Sequence, residues 1–200
     1  MLFRSVGLAS EVAPRLRTLY ASAGLDAGKE LNFTVVSGPD QVRAFADGRV
    51  DVLFAHTPYL ETALVQYGAV LLVQTSNGEI PALADGQVYA LATTRDLARA
   101  KPEIFRAAAR AIAHAQRLIH SDQKATVEAL IASGAAAKDR RMTEAIAAVY
   151  GPAVPQTPKI TLEGIERDAT LYPAHPRAPD FTRVKAADFV APEFAEHAVR

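Results

Sequence analysis

Cysteine is absent from the 200 residues, and so is tryptophan. Without thiols there are no disulfides, no cysteine nucleophile and no cysteine-ligated zinc. An excess of charge is missing as well. The chain carries 22 Lys and Arg against 22 Asp and Glu, which argues against nucleic-acid binding, because such proteins concentrate basic charge on one face. No apolar run approaches the ~18 residues that a membrane-spanning helix needs. The opening MLFRSVGLAS has one Arg and no apolar h-region, so it does not read as a signal peptide. Also lacking are a G-x-S-x-G elbow, a Walker-type phosphate loop and a G-x-G-x-x-G turn. What is present is a chain that is 50% hydrophobic, enough for one ordinary domain or two small lobes.

The stretch AFADGRVDVLFAHTPYLETALVQYG, from Ala44 to Gly68, organises the rest. It reads as a helix end, a Gly turn, a buried strand over Val50–Ala55, a polar break at His56-Thr57-Pro58-Tyr59 and a second helix to Tyr67. The upstream pattern is of the same kind. Val6–Leu8 and Leu31–Val36 read as strands, and Ser10 as the N-cap of a helix from Glu11 to about Ala23. Ser37-Gly38-Pro39-Asp40 turns into the helix that ends at Asp47-Gly48, and Ala69–Gln74 reads as a fourth strand. Strands spaced by helices of about 10–15 residues imply βαβ units and a parallel sheet. Asn77–Gln87 is a connector, and Val88–Thr93 reads as one more strand. Beyond it the chain is helical. Ile104, Ala108, Ile112, Ala115 and Ile119 recur at steps of 3 and 4 and predict a buried helix face. Ser121 or Asp122 caps a second helix closed by Gly134, and a third runs from about Asp139 to Val149. Ile160 and Ile165 staple a fourth around Thr161, and Pro192 opens a last short one. The fold class expected is α/β, with residues 1–78 as a parallel α/β lobe and 79–200 as a connecting strand followed by helices.

Four stretches then carry a family resemblance. They are GLDAGKELNFTVV at Gly24–Val36, the Ala44–Gly68 segment, RDLARAKPEIFRAAARAIAHAQRLIHSDQKA and the closing DFVAPEFAEHA. In this order and spacing they resemble the substrate-binding proteins of nitrate/sulfonate/taurine-type ABC importers, over nearly the whole chain. The resemblance implies a type II periplasmic-binding-protein-like fold, in which two α/β lobes close on a ligand. On that template residues 1–78 correspond to the second lobe, and 79–200 return to the first. The family's opening segment, on the order of 100 residues, has no counterpart before Val6. The chain is therefore expected to be N-terminally truncated and to bind ligand weakly or not at all by itself. The implied function is delivery of a sulfonate, nitrate, taurine or pyrimidine-type ligand to a membrane permease by an exported, periplasmic or lipid-anchored monomer. Catalysis, cofactor, metal and nucleic acid have no part in it. Two alternatives share related folds: enzymes of thiamine-pyrimidine or menaquinone biosynthesis, and effector domains of transcription regulators. The absence of Cys disfavours the thiamine-pyrimidine enzymes, whose Cys-rich motif has no match.

Open parallel sheets bind ligands beyond the carboxyl ends of their strands, which selects Ser10, Ser37, Gly38, His56, Thr57, Tyr59 and Asn77 as candidate ligand contacts. Ser10 sits where a helix N-terminus offers free N–H groups to an anion, and equally serves as a plain cap. Tyr59 and His56 supply an apolar body with a polar tip; the competing reading has Thr57 capping the helix and Tyr59 packing. Ser37-Gly38 and Asn77 fit ordinary turns as well as contacts. Asp51 is expected to be structural. His114 and His120 are six residues apart and fall on different faces of one helix or on two helices, and His175 lies among prolines, so no metal pattern emerges.

Overall fold

The computed structural model describes residues 3–7, 9–36, 38–86, 89–134, 139–171 and 185–198. Ser37, Val88 and His175 lie outside these residues.

Three parallel strands form the sheet: β1 (Phe3–Gly7), β2 (Leu31–Val35) and β3 (Val52–Leu53), in the order β2-β1-β3. Phe3–Gly7 pairs in register with Leu31–Val35, and Ser5 and Val6 pair with Val52 and Leu53 on the other side. Helix α1 (Ala9–Ser22) follows β1, and the single turn α2 (Ala27–Glu30) leads into β2. Helix α3 (Gly38–Ala46) follows β2, and α4 (Tyr59–Gln66) follows β3. Gly24, Gly48 and Gly68 stop helices in the left-handed region, with φ of 74°, 66° and 66°, where a Cβ would be strained. Because the strands are parallel, α1, α3 and α4 all begin at the same sheet edge. β1 is the central strand, with β2 on one side and β3 on the other.

The rest is helical: α5 (Arg95–Ala100), α6 (Pro102–Ser121), α7 (Gln123–Ser133), α8 (Arg140–Tyr150), α9 (Leu162–Leu171) and α10 (Pro192–Ala198). Their ends follow the capping chemistry of the sequence. Asp122 accepts from the Ala125 amide at 2.9 Å, Asp139 from Arg141 at 2.9 Å and Thr161 from Gly164 at 3.2 Å. Pro102 and Pro192 occupy first turns, where a missing N–H costs nothing. The buried core is small-grained. Ala44 and Val50 pack with Val36, Phe45 and Leu53 under the sheet, and Ala109, Ala113 and Ala198 pack with Phe194 between α6 and α10.

Four expectations are corrected. The expected strand Val50–Ala55 shortens to Val52–Leu53. Ala69–Gln74 and residues 89–93 join no ladder, and Val70, Leu72, Tyr89 and Leu91 are exposed; sheet pairing is decided by whichever edge is within reach, not by β-propensity alone. On α6 the buried stripe is Ala109, Ala113 and Gln116, whereas Ile104 and Ile112 face outward. An alanine-rich helix carries more than one stripe of apolar spacing. α10 settles on the small-residue side, where two backbones can approach most closely.

Candidate functional site

A cleft of about 1410 Å³ opens beside β3. Its walls are residues 51–57, the inner face of α1 at Arg15, Leu16 and Tyr20, the extended stretch 69–78, the end of α8 at Tyr150 and the first turns of α9. The cleft therefore runs from the three-stranded sheet to the helices α8 and α9. His56, Thr57 and Asn77 line it, and so does Asp51.

The His56–Tyr59 break is built by short-range bonds. Tyr59 N–H donates to the His56 carbonyl at 2.9 Å, and His56 Nδ1 lies 2.9 Å from the Thr57 carbonyl. The Thr57–Pro58 peptide is cis. Pro58 sits at the helix cap with no side-chain cap bond, so Thr57 does not cap α4. Its hydroxyl donates instead to Glu61 Oε1 at 2.9 Å, one turn along. Glu61 is fully buried, and its second oxygen, Oε2, has no hydrogen-bond partner among the described residues.

Tyr59 turns away from the cleft. Its ring stacks at a tilt on His56, with centroids 5.7 Å apart, and covers Gly38, which is buried at the start of α3. A Cβ at Gly38 would overlap the Tyr59 hydroxyl and ring. Tyr59 also lines a separate groove of about 520 Å³ between α3 and α4, with Pro39, Arg43 and Tyr67. The structure thus joins Gly38 to Tyr59 and Tyr59 to His56, but puts Tyr59 against the α3–α4 groove and His56 and Thr57 against the cleft. Ser10 lies in the first turn of α1, at the same sheet edge. Asn77 is folded on itself: its amide donates to Glu79 Oε1 at 2.8 Å, and its oxygen accepts from Glu79 N–H at 3.0 Å. The bond from the Asn77 amide, with a second from the Gln74 backbone amide at 3.2 Å, holds the Glu79 carboxyl below its usual range.

Several cleft groups carried no signal in the sequence. Tyr150, at the end of α8, has its phenol pKa raised by burial first, then by Tyr89 and Glu61. Arg15 on α1 bonds Asp168 on α9 at 2.7 Å, a pair spanning 153 positions and mostly shielded from water. Gly86 lies against that pair, 3.0 Å from Asp168 Oδ1 measured from the position of a Cβ. Arg167 donates to the Ala84 carbonyl and lies 3.7 Å from Asp85. Only chain reversal brings these groups together, which no local pattern reveals. Among the described residues no group of three His, Asp or Glu side chains is placed to hold a metal ion, and no helix is long and apolar enough to cross a membrane.

Three short parallel strands, with the helices that follow them starting at one sheet edge beside a large, partly apolar cleft, offer the kind of setting in which small molecules bind. Residues 8–133 match the model of the NMT1-like family, and the chain belongs to that family. The family is broadly of the nitrate/sulfonate/taurine-binding type, periplasmic-binding-protein-like in fold and made up mostly of non-enzymatic substrate-binding proteins. No curated protein and no solved structure matches the chain.

Proposed function

We propose that this chain is the solute-binding component of an ABC importer, exported from the cytoplasm, and that it takes a sulfonate, nitrate, taurine or pyrimidine-type ligand in the cleft beside β3 and hands it to a membrane permease. Residues 1–78 form one wall in this reading, and 79–200 supply the return to the other. The observation that carries the proposal is the cleft itself, lined by His56, Thr57 and Asn77 within a chain of the NMT1-like family. Ligand capture proceeds by hinge closure of the walls, and the closed form is what the permease recognises.

Thermal unfolding in millimolar taurine, nitrate, an alkyl sulfonate or an aminopyrimidine tests it. A ligand at about a hundred times its Kd stabilises by about 2.7 kcal/mol, which for a chain of this size raises Tm by roughly 5–10 °C. One class should produce a saturable shift that His56→Ala and Asn77→Ala reduce. Flat curves for all four classes overturn the proposal, and turnover of any of them would make the chain an enzyme.

A further inference from the structure

The side-chain hydrogens of the His56–Thr57 break are already committed. Thr57 has one hydroxyl hydrogen, and it goes to Glu61 Oε1 at 2.9 Å. Glu61 is fully buried, so solvent does not compete for that bond. Its Oε2 has no hydrogen-bond partner among the described residues, which leaves Thr57 as the side-chain donor to this carboxyl. His56 is held in a matching way. Its Nδ1 lies 2.9 Å from the Thr57 carbonyl. A carbonyl only accepts, so Nδ1 carries a hydrogen. The neutral imidazole then has a lone pair and no hydrogen at Nε2.

Both residues line the cleft, and His56 is exposed. What their side chains have left for a ligand is a lone pair on each, at Thr57 Oγ and His56 Nε2. A nitrate or sulfonate oxygen placed against them meets lone pairs. Turning the Thr57 hydrogen toward that oxygen would strip the buried Glu61 of its donor, and a buried charge with no partner is strongly destabilising. The Glu61 charge also reaches the cleft lining: after burial and Tyr89, it is the third cause of the raised Tyr150 phenol pKa. The two guanidinium groups on the cleft are bonded already, Arg15 to Asp168 and Arg167 to the Ala84 carbonyl.

We propose that His56 and Thr57 form an acceptor face locked by Glu61, and that a ligand meets this face through an N–H-bearing group, an amine, an ammonium or an amino-heterocycle, and not through an oxyanion. Glu61 is a positioning residue. It is buried away from the cleft surface and acts through the Thr57 hydroxyl. The choice of ligand class rests on the solute-binding reading; the placement of the hydrogens does not.

Two matched pairs of probes read the choice. Taurine and ethanesulfonate differ by an ammonium group, and an aminopyrimidine is compared with the methylpyrimidine of the same shape. Titration calorimetry on the full chain should find the amino member at least about tenfold tighter in the pair that binds. Glu61→Gln keeps an acceptor for the Thr57 hydroxyl and should keep that ratio. Glu61→Leu frees the hydroxyl to donate and should reduce the ratio several-fold. Equal weakening of both members by Glu61→Leu overturns the role given to Glu61. Nitrogen NMR of the imidazoles, assigned with His56→Gln, tests the hydrogen placement without ligand. At about pH 8.5, where an ordinary imidazole is neutral, His56 should be the Nδ1–H tautomer. The Nε2–H tautomer overturns the inference, and so does an oxyanion probe that binds as tightly as its amino partner and is weakened by His56→Ala. The Nδ1–H tautomer with no response to any probe upholds the acceptor face and sinks the solute-binding reading.

Discussion

Gly38→Ala should change sign with its neighbour. In the native chain a Cβ at Gly38 would occupy space held by the Tyr59 hydroxyl and ring. A slight shift of the ring does not relieve this, because the overlap takes in ring carbons as well as the hydroxyl, and the ring is also in tilted contact with the His56 imidazole. It must swing out, abandoning the contact with α3. Overpacking of this kind costs about 1–3 kcal/mol, and loss of the tyrosine's own packing puts the expected value near the upper end. In a Tyr59→Ala background the obstacle is gone. Gly38 is not among the glycines with positive φ, so an alanine there fits the first turn of α3. The substitution should then stabilise by about 0.5–1 kcal/mol, through helix propensity and a less disordered unfolded chain. The coupling between the two positions is therefore about 3 kcal/mol. Urea titration of the four chains measures it, provided the slope m stays constant. Equal effects of Gly38→Ala in both backgrounds would refute the packing argument. Tyr59 holds the His56 ring from behind, so Gly38→Ala should also weaken any ligand response that depends on His56.

Glu61→Gln keeps an acceptor for the Thr57 hydroxyl while removing a buried charge whose second oxygen is unpartnered; it should stabilise the chain by about 1 kcal/mol near neutral pH, and a loss of stability in denaturant would contradict this. The same substitution should bring the Tyr150 phenol pKa down toward its ordinary value in an ultraviolet titration, since Glu61 is one of the groups raising it. Because the folded-state pKa of Tyr150 is raised, its contribution to stability is complete below about pH 10, the ordinary phenol value, and is lost as pH rises through the folded value; Tyr150→Phe should flatten that alkaline decline. Gly86→Ala presses a methyl group against the Arg15–Asp168 pair and should cost about 1–2 kcal/mol, whereas in an Arg15→Ala chain it should cost much less; equal costs by thermal unfolding would show that the pair is not what Gly86 accommodates.

Much of the chain was legible because its signals are local. Asp122, Asp139, Thr161, Gly24, Gly48, Gly68 and Gly134 mark helix ends through caps and positive φ, which need only neighbouring residues. The parallel arrangement of β1, β2 and β3 followed from helices of the right length between apolar runs. The site was half legible. His56, Thr57 and Asn77 line the cleft, but Tyr59 faces α3, and nothing in HTPY distinguishes a ring that turns toward Gly38 from one that turns toward a ligand. Glu61 looked like one more acid on a helix. It is buried because α8 lies across α4, a contact that no helix-surface pattern contains.

By itself the sequence determined where most helices start and stop and the parallel direction of the first strands, because caps, turns and periodicity act over four or five residues. Only the tertiary structure decided which apolar stripe of α6 is covered, that Ala69–Gln74 stands apart from β3, and that Arg15, Tyr150 and Arg167 share a cleft with His56. Those outcomes depend on which distant surface arrives first and fits best. Burial and edge pairing are properties of two surfaces meeting, and a sequence states only one of them at a time.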